Sequence, residues 1–281
     1  MPSRRGALRT ALLYGALGSV ALVSALPFLW ALGASLRENA AIFRDIRPLS
    51  LWTFVPREPT LDGFAYIFGI DRFHRYMANS LFVGLAVTGL GLFVNSLAGF
   101  GFARFRFPGR DPLFVAVLVT FMVPLEIIVI PLYIVVRGFG WVDSYWALIV
   151  PAVADAFSIF LLRQFFQEIP QELVDAARID GCGWFGVYWR IALPLVKPAL
   201  VTASLLAFIR QWDAFFWPLV ATSSPEYTVI QVALSKYITE FVTFWNYLLA
   251  AVVSASAPVL VLYFVLQRYY VQGISTTGLR G

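Results

Sequence analysis

Long apolar runs alternate with short polar connections along almost the whole chain. A helix needs about 20 mainly apolar residues to cross the hydrocarbon core of a bilayer. Stretches of that length occur six times, and they cover residues 11–35, 77–103, 113–136, 144–166, 196–220 and 245–270. The pattern therefore predicts an all-α, polytopic membrane protein in which residues 1–281 form a single domain with six transmembrane helices.

The composition agrees with surroundings of lipid. Hydrophobic residues make up 60% of the chain and charged residues 13%, whereas soluble domains carry about 25% charged residues. The formal net charge of +5 raises the question of a nucleic-acid partner. However, the Lys and Arg residues flank the apolar runs and form no basic stripe with aromatic residues. We therefore expect a lipid bilayer, and no nucleic acid, around this chain.

The basic residues also predict the orientation, because Lys and Arg concentrate in cytoplasmic loops. With the amino terminus inside, the short outer loops hold Arg137 and Lys236. Residues 36–76 would also lie outside, and they carry charges of both signs. The first apolar run has about 25 residues and is longer than the apolar part of an export signal, about 7–15 residues. Both termini are therefore expected in the cytoplasm. The basic residues on that side are Arg4, Arg5, Arg9, Arg104, Arg106, Arg110, Arg163, Arg178, Arg190, Lys197, Arg268 and Arg280.

Residues that could carry covalent chemistry are scarce. His74 is the only histidine and Cys182 the only cysteine, which leaves no cysteine or histidine cluster for a metal and no intrachain disulfide. The sequence GCGWFG at 181–186 matches the dinucleotide pattern GxGxxG, but no apolar strand precedes it. The sequence also has no GxxxxGK[ST] phosphate loop. We therefore expect no enzyme activity, no cofactor and no metal in this chain, and we expect any ATP to be bound by another polypeptide.

The most informative connection is the predicted cytoplasmic loop between the fourth and fifth spans, residues 167–194. Pro170 suits the first position of a helix, Glu172 lies near its positive end and Arg178 near its negative end. Gly181 can adopt the left-handed conformation that closes a helix at little steric cost. The pattern predicts a loop helix of about three turns that stops at this glycine.

Two alanines, Ala176 and Ala177, are expected to leave one patch of the loop helix nearly free of side-chain bulk, so that another protein could approach it closely. A second short helix is predicted over residues 183–191, with Pro194 ending it. A rigid element between two spans can pass the movement of a partner to the membrane helices, whereas a flexible loop would absorb it.

This loop is similar to the EAA loop of binding-protein-dependent ABC importer permeases, written EAAxxDGAxxxxxFxxIxLPxxxP. Three positions depart from that pattern: Asp175 stands for Glu, Cys182 for Ala and Tyr188 for Phe. The matching positions are Ala176, Ala177, Asp180, Gly181, Ile191, Leu193, Pro194 and Pro198. By this resemblance, the helix would sit in a cleft of an ATPase subunit with Asp175 paired to a basic residue there. The residues that it implies in coupling to the ATPase are Glu172, Asp175, Ala176, Ala177, Asp180, Gly181 and Cys182.

Further segments resemble the sugar-transporting branch of that family, the maltose and glycerol-phosphate permeases. They include NSLFVGLAVT from Asn79, ARFRFPGR from Ala103 and YWALIVPA from Tyr145. The resemblance implies a permease subunit of an ATP-driven importer in the bacterial cytoplasmic (inner) membrane, which forms half of the translocation pathway for a sugar or related solute. It also implies three protein partners: an ATP-binding cassette ATPase dimer, a second permease subunit in a heterodimer, and an extracytoplasmic solute-binding protein. The outer loop 221–244 would touch the binding protein, and the tail after Val271 would reach between the ATPase subunits.

Several polar residues fall inside the predicted spans, where a charge costs about 2.5–3.5 kcal/mol and must face protein or water. The segment FIRQWDAFFWPL from Phe208 resembles FIGSWNDFLWPL of the family, which adds a tryptophan to this set. The candidates for lining the translocation pathway are Asn95, Glu126, Asp155, Arg210, Trp212 and Asp213. The alternative is a structural role, in which Arg210 and Asp213, three residues apart, pair with each other or hold helices together.

Other functions also fit six apolar helices. One is an ABC importer permease for a solute that is not a sugar, and another is an ion-coupled secondary transporter. The second has no use for a cytoplasmic helix that ends in Asp-Gly, and the sequence shows no internal repeat of the kind that builds many such transporters. A requirement for ATP hydrolysis in uptake distinguishes an ABC importer from an ion-coupled transporter and from a membrane-bound enzyme.

Overall fold

The computed structural model describes residues 4–239 and 243–277, with side chains for residue 10 and residues 12–239 and 243–265. The regular structure of this part of the chain is helical. The helices are α1 (Arg4–Ser35), α2 (Leu51–Phe54), α3 (Asp62–Ala65), α4 (Phe73–Arg104), α5 (Arg110–Met122), α6 (Leu125–Gly138), α7 (Tyr145–Val153), α8 (Ala156–Glu168), α9 (Gln171–Ile179), α10 (Trp184–Val187), α11 (Leu193–Leu195), α12 (Lys197–Trp212), α13 (Phe216–Ala221), α14 (Ile230–Ser235) and α15 (Trp245–Thr277). Short 3-10 or π-helical turns lie at Asn39–Ala41, Tyr66–Ile70 and Tyr188–Ala192.

The chain forms two compact units. Among the described residues, the first unit consists of those up to His74 together with those in 234–257, and the second consists of Arg75–Ala233 together with those from Pro258 onward. The candidate coupling residues and the candidate pathway residues all fall in the second unit. The single-domain organisation of residues 1–281 stays a prediction.

Among the residues that the structure describes, four helical stretches are long and apolar enough to cross a membrane, or up to six if each of two bent helix pairs forms one span. The four stretches are Leu12–Ala34, Phe73–Arg104, Tyr145–Glu168 and Trp245–Val265. The bent pairs are α5 with α6, at an angle of 105°, and Trp184–Leu195 with α12, at 81°. These helices confirm the all-α, polytopic fold class.

The third predicted span, residues 113–136, is interrupted in the structure. α5 ends at Met122 and α6 begins at Leu125, with Val123 and Pro124 in extended conformations between them. A proline has no N–H to donate and disfavours a helical conformation in the residue before it. Pro124 therefore divides the expected helix into two.

The fourth predicted span, residues 144–166, also contains a break. α7 ends at Val153, and Asp155 has an extended conformation before α8 begins. The Oδ2 atom of Asp155 accepts the backbone N–H of Ser158 at 2.8 Å and so caps α8. A break within a span leaves backbone groups without helical partners, and inside a membrane these groups need other partners.

Arg37 organises the segment that follows α1 in the first unit. Its side chain is buried, and its guanidinium donates to the backbone carbonyls of Ile42 at 3.4 Å, Thr53 at 3.2 Å and Trp52. A Cβ atom on Gly33, near the end of α1, would lie 1.8 Å from the carbonyl oxygen of Phe54 at the end of α2. The contact between α1 and α2 therefore requires a glycine at this position.

Two loops at the predicted outer end of the second unit are joined through Asp143. Its N–H donates to the Ala221 carbonyl at 2.9 Å, and its carboxylate accepts the backbone N–H groups of Ser223 and Ser224, both at 2.9 Å. The bonds that the carboxylate accepts, with that from the backbone of Ser224 having the largest effect and that from Ser223 the next, lower the pKa of the Asp143 carboxyl. The carboxylate therefore contributes stability above the ordinary carboxyl pKa of about 3.9, and this contribution is lost as the pH falls through the lowered value. Residues 240–242 of the predicted outer loop 221–244 lie outside the described residues.

Gly33→Ala is expected to lower the thermal stability of the protein, because the added methyl group would collide with a backbone atom. Overpacking of this kind typically costs about 1–3 kcal/mol. Gly18→Ala is the matched control, since Gly18 lies in the same helix with nothing within 4 Å of an added Cβ. The measurement is the apparent melting temperature in detergent, and equal values for the two variants would contradict the contact between α1 and α2.

Candidate functional site

The loop helix α9 begins and ends as a self-contained element. Pro170, expected at the first helical position, instead lies at the N-cap with an extended backbone, while Glu172 falls in the first turn as expected. At the other end, Gly181 has a φ of +84°, the left-handed conformation that the sequence indicated. The N–H of Cys182 donates to the carbonyl of Ala177 at 2.9 Å, and the N–H of Gly181 to that of Arg178 at 3.2 Å. These two bonds form a Schellman motif, which satisfies carbonyls that would otherwise lack partners.

One face of α9 is packed against the second unit. Val174 is 1% exposed and Ala177 6% exposed, and both belong to a core cluster with Phe100, Phe166 and Tyr188. Because this face is buried among aromatic side chains, α9 is held as part of the helical body.

The opposite face of α9 is open. Asp175 and Ala176 are exposed, and so are two large aliphatic side chains, Leu173 at 45% and Ile179 at 85%. The expectation that Ala176 and Ala177 share one open patch is therefore wrong. Consecutive residues on a helix with 3.6 residues per turn point about 100° apart, so that Ala177 faces the core while Ala176 faces outward.

The remaining candidate coupling residues lie around the end of α9. Asp180 is the C-cap of α9 and its side chain is exposed. Glu172, in the first turn of α9, is exposed as well. Cys182 is partly exposed, and its carbonyl accepts the guanidinium of Arg178 at 2.8 Å. The same guanidinium lies 5.1 Å from the ring centroid of Trp184 and so links α9 to α10.

Arg104, at the end of α4, connects that helix to both sides of the bend between α8 and α9. Its guanidinium donates to the carbonyls of Phe166 and Ile169, both at 2.6 Å, and to the Oε1 atom of Gln171 at 3.0 Å. The Nε2 atom of Gln171 in turn donates to Asp175 at 2.9 Å. The sequence indicated Arg104 only as an orientation charge, because no local pattern shows which carbonyls a residue more than 60 positions away will meet.

Tyr188 provides a second connection to α4. Its side chain is 1% exposed, its hydroxyl lies 2.8 Å from the Ser96 hydroxyl, and its ring packs edge-on against Phe100 with centroids 5.4 Å apart. Tyrosine stands here where the EAA pattern has phenylalanine, and the structure gives the additional hydroxyl a buried partner. The loop is thus joined to α4 at two heights, through Arg104 and through Tyr188.

A cavity of about 290 Å³ lies in the second unit beside the break between α7 and α8. The Nδ2 atom of Asn95 donates to the carbonyl of Val153 at 3.1 Å, and its Oδ1 atom accepts the N–H of Asp155 at 3.1 Å. Arg210 donates to both carboxylate oxygens of Asp155, at 2.6 and 3.0 Å. Asn95 therefore satisfies the backbone groups that the break exposes, and the ion pair joins α12 to the start of α8.

Three of the six candidate pathway residues line this cavity, namely Asn95, Asp155 and Arg210. The other three lie elsewhere. Glu126 is exposed in the first turn of α6, and Trp212 is 3% exposed and stacked on the ring of a phenylalanine in its own helix. Asp213 is the C-cap of α12 and accepts a weak bond from the Gln231 amide at 3.4 Å.

The pairing of Arg210 with Asp213 is corrected by the structure, since the partner of Arg210 is Asp155. α12 ends at Trp212, so that Asp213 does not continue the helix on which a spacing of three residues would bring it beside Arg210. The other structural role considered for these polar residues was to hold helices together. This role is observed, because the Asp155–Arg210 pair joins α12 to the start of α8, and both helices line the cavity.

The fold and the site together define a multi-pass membrane protein with a mainly apolar cavity that contains an ion pair, and with a firmly anchored loop helix. The profile of the family described as binding-protein-dependent transport system inner membrane component matches residues 88–276. The chain belongs to this family of transport permeases. The resemblance drawn from the loop sequence is thereby confirmed.

Relatives of similar length match nearly the whole chain. The arabinooligosaccharides transport system permease protein AraQ of Halalkalibacterium halodurans is 31% identical over 263 residues, which is 93% of each chain. The sulfoquinovosyl glycerol transport system permease protein SmoH of Agrobacterium fabrum is 31% identical over 266 residues, 94% of this chain and 92% of its own. The sn-glycerol-3-phosphate transport system permease protein UgpE of Brucella abortus is 31% identical over 265 residues, 91% and 92% of the two chains.

Two solved structures share the fold. A bacterial ABC transporter involved in the import of the acidic polysaccharide alginate contains a chain that matches with a TM-score of 0.82 at 23% identity, over 96% of this chain and 99% of its own. A bacterial alginate ABC transporter in complex with an alginate pentasaccharide-bound periplasmic protein matches with a TM-score of 0.60 at 16% identity, over 92% and 95% of the two chains. At these identities the likeness concerns the fold alone.

The bond between Ser96 and Tyr188 is expected to stabilise the protein by about 1 kcal/mol, the net contribution of a typical buried hydrogen bond. A double-mutant cycle with Ser96→Ala and Tyr188→Phe isolates that contribution, because each variant removes one hydroxyl and leaves the packing intact. The measurement is the free energy of unfolding in detergent. Strictly additive effects of the two substitutions would contradict the bond.

Proposed function

We propose that this chain is one of two permease subunits of an ATP-driven importer in the bacterial cytoplasmic membrane, and that it forms half of the translocation pathway for a sugar or related solute. Family membership and the sugar-related solutes in the names of the relatives support the transport role. The observation that carries the proposal is the loop helix α9, which is anchored on one face and open on the other.

The open face of α9 is proposed to dock on an ATPase subunit. Ile179 and Leu173 supply apolar surface that water otherwise covers, and Asp175 supplies a negative charge beside it. An apolar contact with a charged rim is the usual composition of a protein interface. Asp180, Gly181 and Cys182 would fix the backbone conformation at the end of α9, which forms part of the proposed contact with the ATPase.

The anchored face is proposed to transmit the movement of the ATPase. A displacement of α9 would be passed to α4 through Arg104 and through Tyr188. It would be passed to α8 directly along the chain, since only Ile169 and Pro170 separate the two helices. A flexible loop would absorb the same displacement by changing its own backbone conformation, and little of it would reach the membrane helices.

The other partners follow from the same proposal. ATP would be bound and hydrolysed by a separate ATPase dimer, and this chain would carry out no covalent chemistry. A second permease subunit would complete the pathway, and an extracytoplasmic binding protein would deliver the solute to the outer loop 221–244. Both termini would lie in the cytoplasm. The end of the tail proposed to reach between the ATPase subunits, residues 278–281, lies outside the described residues.

Reconstitution of the complete complex into liposomes tests the proposal directly. A panel of labelled neutral and acidic oligosaccharides is offered with the binding protein, with and without the ATPase subunits. We expect accumulation that requires both the ATPase and ATP hydrolysis. Accumulation driven by an ion gradient in the absence of the ATPase would contradict the proposal and favour a secondary transporter.

Gly181→Val is expected to reduce uptake several-fold while ATP hydrolysis continues. Nothing lies within 4 Å of a Cβ at this position, so that the damage comes from the left-handed backbone, which costs a residue with a side chain about 1–2 kcal/mol and more for a β-branched one.

Two controls separate the effect of backbone conformation from that of position. Gly181→Asn should retain coupling, because asparagine tolerates the left-handed region. Gly183→Ala should also retain it, since Gly183 has a φ of −67° and no neighbour within 4 Å of an added Cβ. The measurement is ATP hydrolysed per solute molecule imported, and an unchanged ratio in Gly181→Val would refute the assigned role of the helix end.

A further inference from the structure

The cavity beside the break between α7 and α8 carries no net charge. Among the residues that line it, Asp155 and Arg210 are the charged ones, and they form a bidentate ion pair. A guanidinium and a carboxylate in this arrangement share two parallel hydrogen bonds and orient each other. The charges on this wall therefore act as one neutral unit.

The carboxylate of Asp155 has little capacity left for a solute. Its Oδ1 atom accepts from Arg210, and its Oδ2 atom accepts from Arg210 and from both the backbone N–H and the hydroxyl of Ser158. Its side chain is only 16% exposed. Asp155 therefore holds Arg210 in place and is itself shielded.

Arg210, in contrast, retains donors that face open space. A guanidinium has five N–H donors, and the bonds of Arg210 among the described residues are the two to Asp155. Its side chain is 49% exposed. Gln211, whose side chain carries an amide, also lines the cavity. The wall thus offers donors suited to neutral oxygen atoms such as hydroxyl and ring oxygens.

Apolar side chains make up much of the remaining wall, including Leu92, Leu125 and Leu132. Sites with a mainly apolar lining and a few fixed polar groups are typical of small-molecule binding, and a volume near 300 Å³ is at the lower end of their range. A sugar ring has hydroxyl groups at its rim and C–H groups on its faces, and both find a matching surface here.

A solute with a carboxylate or phosphate would meet a different situation. It could displace Asp155 from Arg210, but this would leave the Asp155 carboxylate without its cation in a mainly apolar site. Otherwise it would approach an ion pair whose positive charge is already neutralised. Asp155 is the more buried partner, with its side chain 16% exposed, and leaving such a carboxylate without its cation is unfavourable. The relatives' solutes include both an arabinose oligosaccharide and a phosphate ester, so that likeness alone does not fix the charge.

We propose that the cavity lined by Asn95, Asp155 and Arg210 is a subsite for a neutral, hydroxyl-rich solute, a sugar without carboxylate or phosphate groups, and that the Asp155–Arg210 pair selects against anionic sugars. This inference rests on the proposed importer function and adds the chemical class of the solute to it.

The test compares two disaccharides that differ in their carboxylates, galactobiose and digalacturonate. Binding of each to the complex of both permease subunits and the ATPase dimer in nanodiscs, without the solute-binding protein, is measured by saturation-transfer NMR titration. We expect at least tenfold tighter binding of galactobiose to the wild-type complex. Equal or tighter binding of digalacturonate, or binding of neither disaccharide, would overturn the inference.

Variants assign the selectivity to this chain. Asp155→Asn frees the charge of Arg210 and should shift the preference at least tenfold toward digalacturonate. Asp213→Asn, which makes the same chemical change outside the cavity lining, should leave the preference unchanged. Asp155→Ser keeps an oxygen that can cap α8 and also frees the charge of Arg210, so it should give the same shift and provides a second test if Asp155→Asn does not assemble.

A preference that is the same in wild type, Asp155→Asn and Asp155→Ser would show that this ion pair does not select the solute. The proposed function can fail separately. If the complete importer, with its binding protein, imports an anionic sugar in an ATP-dependent manner, the importer proposal stands and the inference about the solute is wrong.

Discussion

The three hydrogen bonds of the Arg104 guanidinium determine how the loop helix is held. Arg104 ends α4, and its guanidinium donates to the carbonyl of Phe166 in the last turn of α8 and to that of Ile169 just after this helix. Carbonyls at the end of a helix have no partner in their own helix. The guanidinium also donates to the side chain of Gln171 in α9. Because one planar cation joins three helices, α8 cannot bend away from α9 without breaking charge-assisted bonds. The position of the exposed surface of α9 depends on this junction.

The core cluster adds stiffness to the same region. Tyr188, Phe100 and Phe166 pack with their rings at steep angles, and the buried faces of α9 and of the following helical turns close over them. Aromatic rings in such edge-on contacts bury large areas and have few alternative arrangements. Farther along α4, Asn95 bonds to the backbone at the break between α7 and α8. One helix therefore contacts both the loop and the cavity, which gives a physical route by which movement at one could reach the other.

The local features of this arrangement could be predicted from the sequence, because local features depend on neighbouring residues. The left-handed Gly181, the short loop helix and the all-helical class follow from spacing, capping and apolar length. The agreement of the loop with a known family follows from the same residues. The interruption at Pro124 could have been predicted from the proline itself, but the length of the apolar run favoured one continuous helix.

The contacts between distant residues could not be predicted in the same way. Asp155 meets Arg210 across 55 positions and Arg104 meets Ile169 across 65, and the periodicity of a helix contains no information on which residue faces it from another helix. The sequence therefore indicated the polar residues of the cavity but paired Arg210 with its near neighbour Asp213. It also placed Ala177 on the open face, because the direction of the core around α9 is set by helices elsewhere in the chain.

The most direct test of the account is the number of ATP molecules hydrolysed per solute molecule imported by the reconstituted complex carrying Arg104→Gln. The account predicts that this ratio rises several-fold. Arg104→Lys keeps the charge but not the planar set of donors and should give an intermediate ratio. Arg106→Gln, a variant of the exposed neighbour, should give the wild-type ratio. A wild-type ratio in Arg104→Gln would contradict the claim that this junction transmits the movement of the loop helix.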